Sequence, residues 1–329
     1  MTEKIAENGI YNNISLERYH NDLKLFDGPN ISKSALKYVL PPHGGSPKKF
    51  WGHWKWNPNH VETKTTAALN FGKLVRRLLL GDEVFAESFV VQPTLVKGKA
   101  WHSNRTACKE LLLEQAAAGL TFVNEEQIER VRRMAADAEQ YPLIRDAGLL
   151  NGKVEQSMFT KDPSTGIWLK SRPDNEPAFL DGVYTDLKSA SSLDEDFVQR
   201  QLFDAGYYLQ GAATRMNCQQ LNRPFESFVF VYVLNAEVPD TSHVELSPHE
   251  IDRGERAIHW CLVPIRHGLD TGNWPGHQHF KDGTIPIQSK FGTADKLDNF
   301  PREQDHLSNQ LWRLPNERHS ENRPINSAT

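Results

Sequence analysis

Cysteine is scarce in this 329-residue chain, and the three present are scattered. Cys108, Cys218 and Cys261 form no CxxC pair. That excludes a disulfide framework and a cysteine-bound zinc or iron–sulfur cluster, and it fits a reducing compartment. Long apolar runs are also missing. None approaches the roughly 20 residues that span a bilayer, so no membrane role is expected. The opening MTEKIAENGIYNN is polar and not leader-like, and the expected location is the cytoplasm. Nor is there an excess of positive charge. Lys plus Arg number 38 against 42 Asp plus Glu, a net charge of −4, so any nucleic-acid site has to be a local patch. The sequence has no GxxxxGK[ST] and no GxGxxG between a strand and a helix, which removes the usual signatures of ATP and dinucleotide use. No Ser-His-Asp motif and no internal repeat are visible.

The composition that remains suits a soluble globular protein: 38% hydrophobic and 24% charged. The length supports one large domain with a real core. Residues 1–30 read as a polar N-terminal extension. The segment 31–40 predicts a short helix capped by Ser32 or Ser34 and stopped by Pro41 and Pro42. A Gly/Pro/Trp-rich loop follows at 43–60. Residues 64–85 predict a helix, with Ala68, Leu69, Leu74, Val75, Leu78 and Leu79 at helical spacing and Gly81 as its end. Two further amphipathic helices are expected over 106–118 and 124–140. The period then changes. Residues 153–160 and 167–173 alternate around a 161-KDPSTG-166 turn, which predicts a β-hairpin. Extended structure is expected at 179–189, a long helix over 193–221, an apolar central strand at 228–234 and a helix over 248–261. The fold class is therefore α/β, with a mixed central sheet flanked by helices. A single domain covers 31–280, and a polar tail covers 281–329.

Within 182-GVYTDLKSA-190, Asp186 and Lys188 lie two residues apart on a strand and so share a face. Asp174 sits just past the second hairpin strand, and Glu155 on the first. Carboxylates at the ends of adjacent strands make an oxygen-rich site for a hard divalent cation, Mg²⁺ or Mn²⁺. Such an ion polarises a phosphoryl oxygen and acidifies a water, and a lysine beside it offsets transition-state charge. Taken singly, each residue has a plainer reading. Asp186 and Lys188 make an exposed ion pair worth at most about 1 kcal/mol, and Asp174 is a turn residue after proline. Lys170 and Arg172 read equally as a phosphate grip and as a solvated strand face. Trp51, Trp54 and Trp56, set among lysines, read as core more readily than as a stacking platform for single strands. His277 and His279 lack further ligands at zinc spacing.

The order and spacing of these elements together resemble the PD-(D/E)XK nuclease superfamily, and within it the RecE-type (exonuclease VIII) exonucleases of phages and prophages. The matching positions are Lys170, Arg172, Pro173, Asp174, Asp186, Lys188, Phe197, Gly206, Tyr207 and Gln210. The flanks 68–85 and 274-WPG-276 are similar to that family's as well. The resemblance implies a restriction-endonuclease-like core. It implies Asp174, Asp186, the Leu187 carbonyl and Glu155 as metal ligands, and Lys188 as the catalytic lysine. Tyr207 and Gln210 would support the site, and Ser34, Lys170, Arg172 and Arg76 would contact DNA. It further implies Mg²⁺ as cofactor, with Mn²⁺ in its place, and a 5′-to-3′ exonuclease acting on double-stranded DNA ends in a bacterial host cell. The partners it implies are a single-strand annealing protein and further copies of the chain in a ring. One departure stands out. Four residues after the glycine of the early helix the family carries a metal-binding histidine, and counting from Gly72 that position is Arg76. An arginine cannot ligate a cation, but it can contact a phosphate. Two alternatives remain beside the exonuclease: a repair nuclease of the RecB or Cas4 type with the same fold, and an inactive DNA-binding phage accessory protein that keeps the fold.

Overall fold

The computed structural model describes residues 4–12, 14–62, 66–80 and 88–277. The expected 281–329 tail lies outside them, as do the two ends of the helix expected over 64–85. In chain order the main strands are β1 (Gly9–Tyr11), β2 (Asn30–Ser32), β3 (Gly152–Val154), β4 (Ser157–Lys161), β5 (Trp168–Ser171), β6 (Asn175–Pro177), β7 (Val183–Ala190), β8 (Ser227–Leu234) and β9 (Thr241–Glu245). The main helices are α1 (Lys33–Leu36), α2 (Pro47–His53), α3 (Ala67–Leu79), α4 (Thr106–Ala117), α5 (Glu125–Gln140), α6 (Glu195–Asp204), α7 (Tyr207–Gln220) and α8 (Pro248–Thr271).

Five strands form the central sheet in the order β9-β8-β7-β6-β3. β7 and β8 run parallel over their full length and the other pairs are antiparallel, so the sheet is mixed as expected. A parallel pair needs a crossover, and α6 with α7 supplies it. β8 shows why its sequence is apolar throughout. Phe228, Phe230 and Tyr232 enter the core under α7 and α8, while Val229, Val231 and Val233 enter a second core with Leu74, Val75, Val131 and Met134 of α3 and α5. Both faces are buried, so alternation disappears. β9 was not legible, because 241-TSHVE-245 is an edge strand that buries only Thr241.

The second sheet has four strands in the order β1-β4-β5-β2. The N-terminal segment read as an extension packs on the fold: β1 pairs with β4, and Ile5, Tyr19, Leu25 and Phe26 pack on Phe159 and Trp168.

Several boundaries differ from the sequence reading. Asn30–Ser32 is a strand, so Ser32 rather than Ser34 precedes the first helical residue, and it makes no side-chain cap bond. The expected loop at 43–60 contains α2, started by Ser46, whose hydroxyl accepts from Lys49 N–H, and by Pro47 at the first turn. The long helix of 193–221 is two helices, divided where Gly206 adopts φ 68°. The last helix runs ten residues further than 261, through Pro264. Burial of Ile258, Cys261, Leu262 and Ile265 outweighs the ~3 kcal/mol such a proline costs. The tryptophans are core: Trp54 is buried, and Trp51 stacks on Trp274 at 4.6 Å.

Candidate active site

The hairpin expected over 153–173 forms, but it is bent. β4 and β5 pair in one sheet, and their continuations β3 and β6 pair in the other. The bend falls at Glu155 on one arm and at Arg172–Asp174 on the other. Glu155 holds φ 52°, a left-handed conformation costing a residue with a Cβ ~1 kcal/mol or more, and its N–H donates to the Asp174 carbonyl at 3.0 Å. Pro173 brings no N–H to this crossing. The bend thus gathers Glu155, Arg172 and Asp174 where the two sheets meet, beside β7.

On β7, Tyr184, Asp186, Lys188 and Ala190 share one face by the two-residue period, and Tyr184 and Ala190 fix it as the face toward α7. Asp174 and Asp186 are both 1% exposed. Asp174 Oδ2 accepts from Leu187 N–H at 2.8 Å, which ties the bend to β7. A strand residue points its N–H and C=O to the same edge, so the Leu187 carbonyl also faces the Asp174 side. Lys188 Nζ pairs with Asp186 Oδ2, and Gln210 Nε2 donates to Asp186 Oδ1. Gly206 starts α7 so that Tyr207 and Gln210, one turn apart, face this strand. The Tyr207 ring stacks on Phe230 at 4.8 Å and lies 4.7 Å from Lys188 Nζ.

The electrostatics are those of buried charges in a small space. Burial pushes Asp174 up to about 7, with Arg76 pulling it down and Asp186 pushing it up. Burial acts the same way on Asp186, but Lys188, Arg76 and Lys33 outweigh it and hold its pKa below the usual carboxylate range. Lys188 is raised: burial opposes its charge, but Asp186 prevails. Arg76 is raised, chiefly by Asp174.

The cationic residues expected on DNA are turned into the fold. Lys170 is buried, and its Nζ donates to the Tyr19 carbonyl, 4.7 Å from that ring. Arg172 donates to the Ile14 carbonyl at 2.7 Å, to Ser157 Oγ at 3.3 Å and to Glu155 Oε2 at 2.7 Å, so its fork is spent inside the fold. Arg76, on α3, turns inward: its Nε is 3.1 Å from Asp174 Oδ1 and its guanidinium 4.0 Å from Glu155 Oε1. The N-terminal residues that hold Lys170 and Arg172 come from a segment read as an extension, which is why the sequence hid these contacts. Ser34 is exposed on α1.

A family model described as a PDDEXK-like domain of unknown function (DUF3799) matches residues 34–278. The chain belongs to this PDDEXK-like family. Its fold is also that of a solved structure, a "Putative exonuclease" from Eubacterium rectale, with a TM-score of 0.53 at 15% identity over 87% of this chain and 98% of that one. No curated protein matches the chain.

The donors available to a metal in this PDDEXK-like domain are all oxygens, which suits a hard divalent ion. Asp174, Asp186 and the Leu187 carbonyl edge fit one such ion, with Lys188 already paired to Asp186 Oδ2. Glu155 is turned toward Arg172 and Arg76 instead. Among the described residues no three His, Cys, Asp or Glu side chains gather as a metal cage. One residue escaped the sequence reading. Lys33, at the start of α1, lies 4.8 Å from the Tyr207 ring. Burial, then the nearby Lys188, push it down to about 7. Its only sequence signal was its place beside Ser34, since its approach to β7 is set by the β2–β5 pairing. Among the described residues no helix is long and apolar enough to cross a membrane.

Proposed function

We propose that this chain is a metal-dependent deoxyribonuclease of RecE type, degrading double-stranded DNA from its ends in the 5′-to-3′ direction. The observation that carries the reading is the pair of buried carboxylates Asp174 and Asp186 with half-buried Lys188 and Gln210 against Asp186, gathered on neighbouring elements of a PDDEXK-like fold. The name given to the Eubacterium rectale protein supports it. Asp174, Asp186 and the Leu187 carbonyl would hold Mg²⁺, or Mn²⁺ in its place; such an ion supplies an acidified water and a polarised phosphoryl oxygen. Lys188 keeps its proton beside Asp186 and offers it to the charge that builds on the phosphate. Gln210 fixes the Asp186 carboxylate, and Tyr207 holds Lys188 and Lys33 on the side open to a phosphate. Ser34 lies on the same helix as Lys33. A ring of several copies and a single-strand annealing partner complete the proposal, for recombination of the phage type.

The inward turn of Arg76 favours a second reading, a DNA-binding accessory protein without hydrolysis. Digestion of a linear duplex labelled at either end, with Mg²⁺, with EDTA and with Lys188→Ala, separates the two. Release of 5′ label that needs both Mg²⁺ and Lys188 is expected. Intact DNA with every metal, from folded protein that still binds duplex, would establish the accessory reading.

A further inference from the structure

We infer that Arg76 is a built-in cation of the carboxylate centre, so that the centre takes a single divalent ion and takes it in competition with the guanidinium. The inference rests on reading the site as metal-dependent. Arg76 stands on α3 where it reaches both Asp174, at 3.1 Å, and Glu155, at 4.0 Å. The other two cations paired with these carboxylates, Arg172 on Glu155 and Lys188 on Asp186, each serve only one of them. The three acids Glu155, Asp174 and Asp186 are therefore already in ion pairs with three cations, Arg76, Arg172 and Lys188, and Lys33 stands near Asp186 as well. A divalent ion entering such a centre is repelled by a positive charge that the same centre would lack with a neutral residue at 76.

Two details make Arg76 a competitor rather than a fixed strut. Its Nε faces Asp174 without an aligned hydrogen bond, so the contact is charge against charge and not the two-pronged clasp arginine can make. Its side chain is 30% exposed, which leaves a way out toward solvent. Arg172, by contrast, is pinned by three acceptors and 12% exposed. Glu155 is held by Arg172 on one oxygen and faced by Arg76 on the other, so it is removed from the ligand set while Arg76 stays inside. This leaves Asp174 and Asp186 to hold one ion.

The test is Mn²⁺ titration of the full chain without DNA, reading free Mn²⁺ by electron paramagnetic resonance. Wild type is expected to bind one ion. Arg76→Gln, which removes the charge, is expected to bind it at least about tenfold more tightly. Arg76→Lys, which keeps the charge, should stay near wild type. Two ions bound by wild type would overturn the inference, and that result needs no variant to fold. Equal affinity in wild type and Arg76→Gln would overturn it too, while leaving the nuclease reading in place. Absence of Mn²⁺ binding in every form would remove both.

Discussion

Replacing Lys170 with methionine tests the structure where it departs most from the sequence pattern. Lys170 lies on β5 among residues that pack on Tyr19, and it is 7% exposed. Burial, then Lys55, push its pKa down to about 7 from an ordinary 10.5. At roughly 1.4 kcal/mol per pH unit, that difference sets a ceiling of ~5 kcal/mol on the cost of holding the proton inside the fold. The Tyr19 carbonyl and ring return ~1–2 kcal/mol each. Methionine fills similar space without charge, so Lys170→Met should stabilise the protein by ~1–3 kcal/mol at pH 6. The sign with pH follows from which state holds the proton. Below about 7 both folded and unfolded chains carry it, and the full penalty applies. Between about 7 and 10.5 only the unfolded chain does, so wild-type stability rises with pH and the advantage of methionine shrinks. Urea unfolding of both proteins at pH 6, 8 and 9.5 measures this. A variant less stable than wild type at pH 6, or an advantage independent of pH, would refute the reasoning. Duplex affinity should not change. A phosphate contact would instead weaken binding and reduce the salt slope by about 1.

Two further perturbations probe the site and its support. Gln210→Ala removes the donor on Asp186 Oδ1 and should weaken Mn²⁺ binding by roughly 10–100-fold with little change in melting temperature; an unchanged affinity would make Gln210 a bystander. Asn217→Ala breaks a fully buried junction, in which Asn217 donates to the Met158 carbonyl at 3.1 Å and to Ser171 Oγ at 2.8 Å and accepts from Thr160 at 2.6 Å. It should cost ~2–4 kcal/mol in urea unfolding, and a loss below ~1 kcal/mol would mean the network relaxes around the gap.

What the sequence made legible followed from period and spacing. The two-residue period placed Asp186 and Lys188 on one face because β7 and β8 run in register with both faces buried. The apolar run 228–234 read correctly as a central strand for the same reason. The hairpin was visible in its turn, 161-KDPSTG-166, where Asp162 accepts from Ser164 and Thr165. Its bend was not, because alternation continues through 153–160 while the backbone at Glu155 turns left-handed, and nothing in a glutamate announces that. Gly206 was present in the sequence as a break, yet the apolar spacing on either side of it reads as one helix. Long-range pairing decides such points, and it is invisible to local patterns.

The charged residues make the same argument more sharply. A sequence shows that Lys170, Arg172 and Arg76 are cationic and near acids, and outward cations near a phosphodiester site are the natural expectation. Their direction, however, is set by segments far away in the chain: Ile14 and Tyr19 offer carbonyls to Arg172 and Lys170, and α3 delivers Arg76 to the bend. Each of these contacts is cheaper than leaving a buried carbonyl or carboxylate without a partner. Lys33, the cation no motif marked, lies with Lys188 against the Tyr207 ring. The chemistry of the centre thus depends less on how many cations the motif region carries than on which of them the remote segments consume. That is why Arg76, conspicuous as a departure from the histidine pattern, acquires a role only when Asp174 and Glu155 are seen on either side of it.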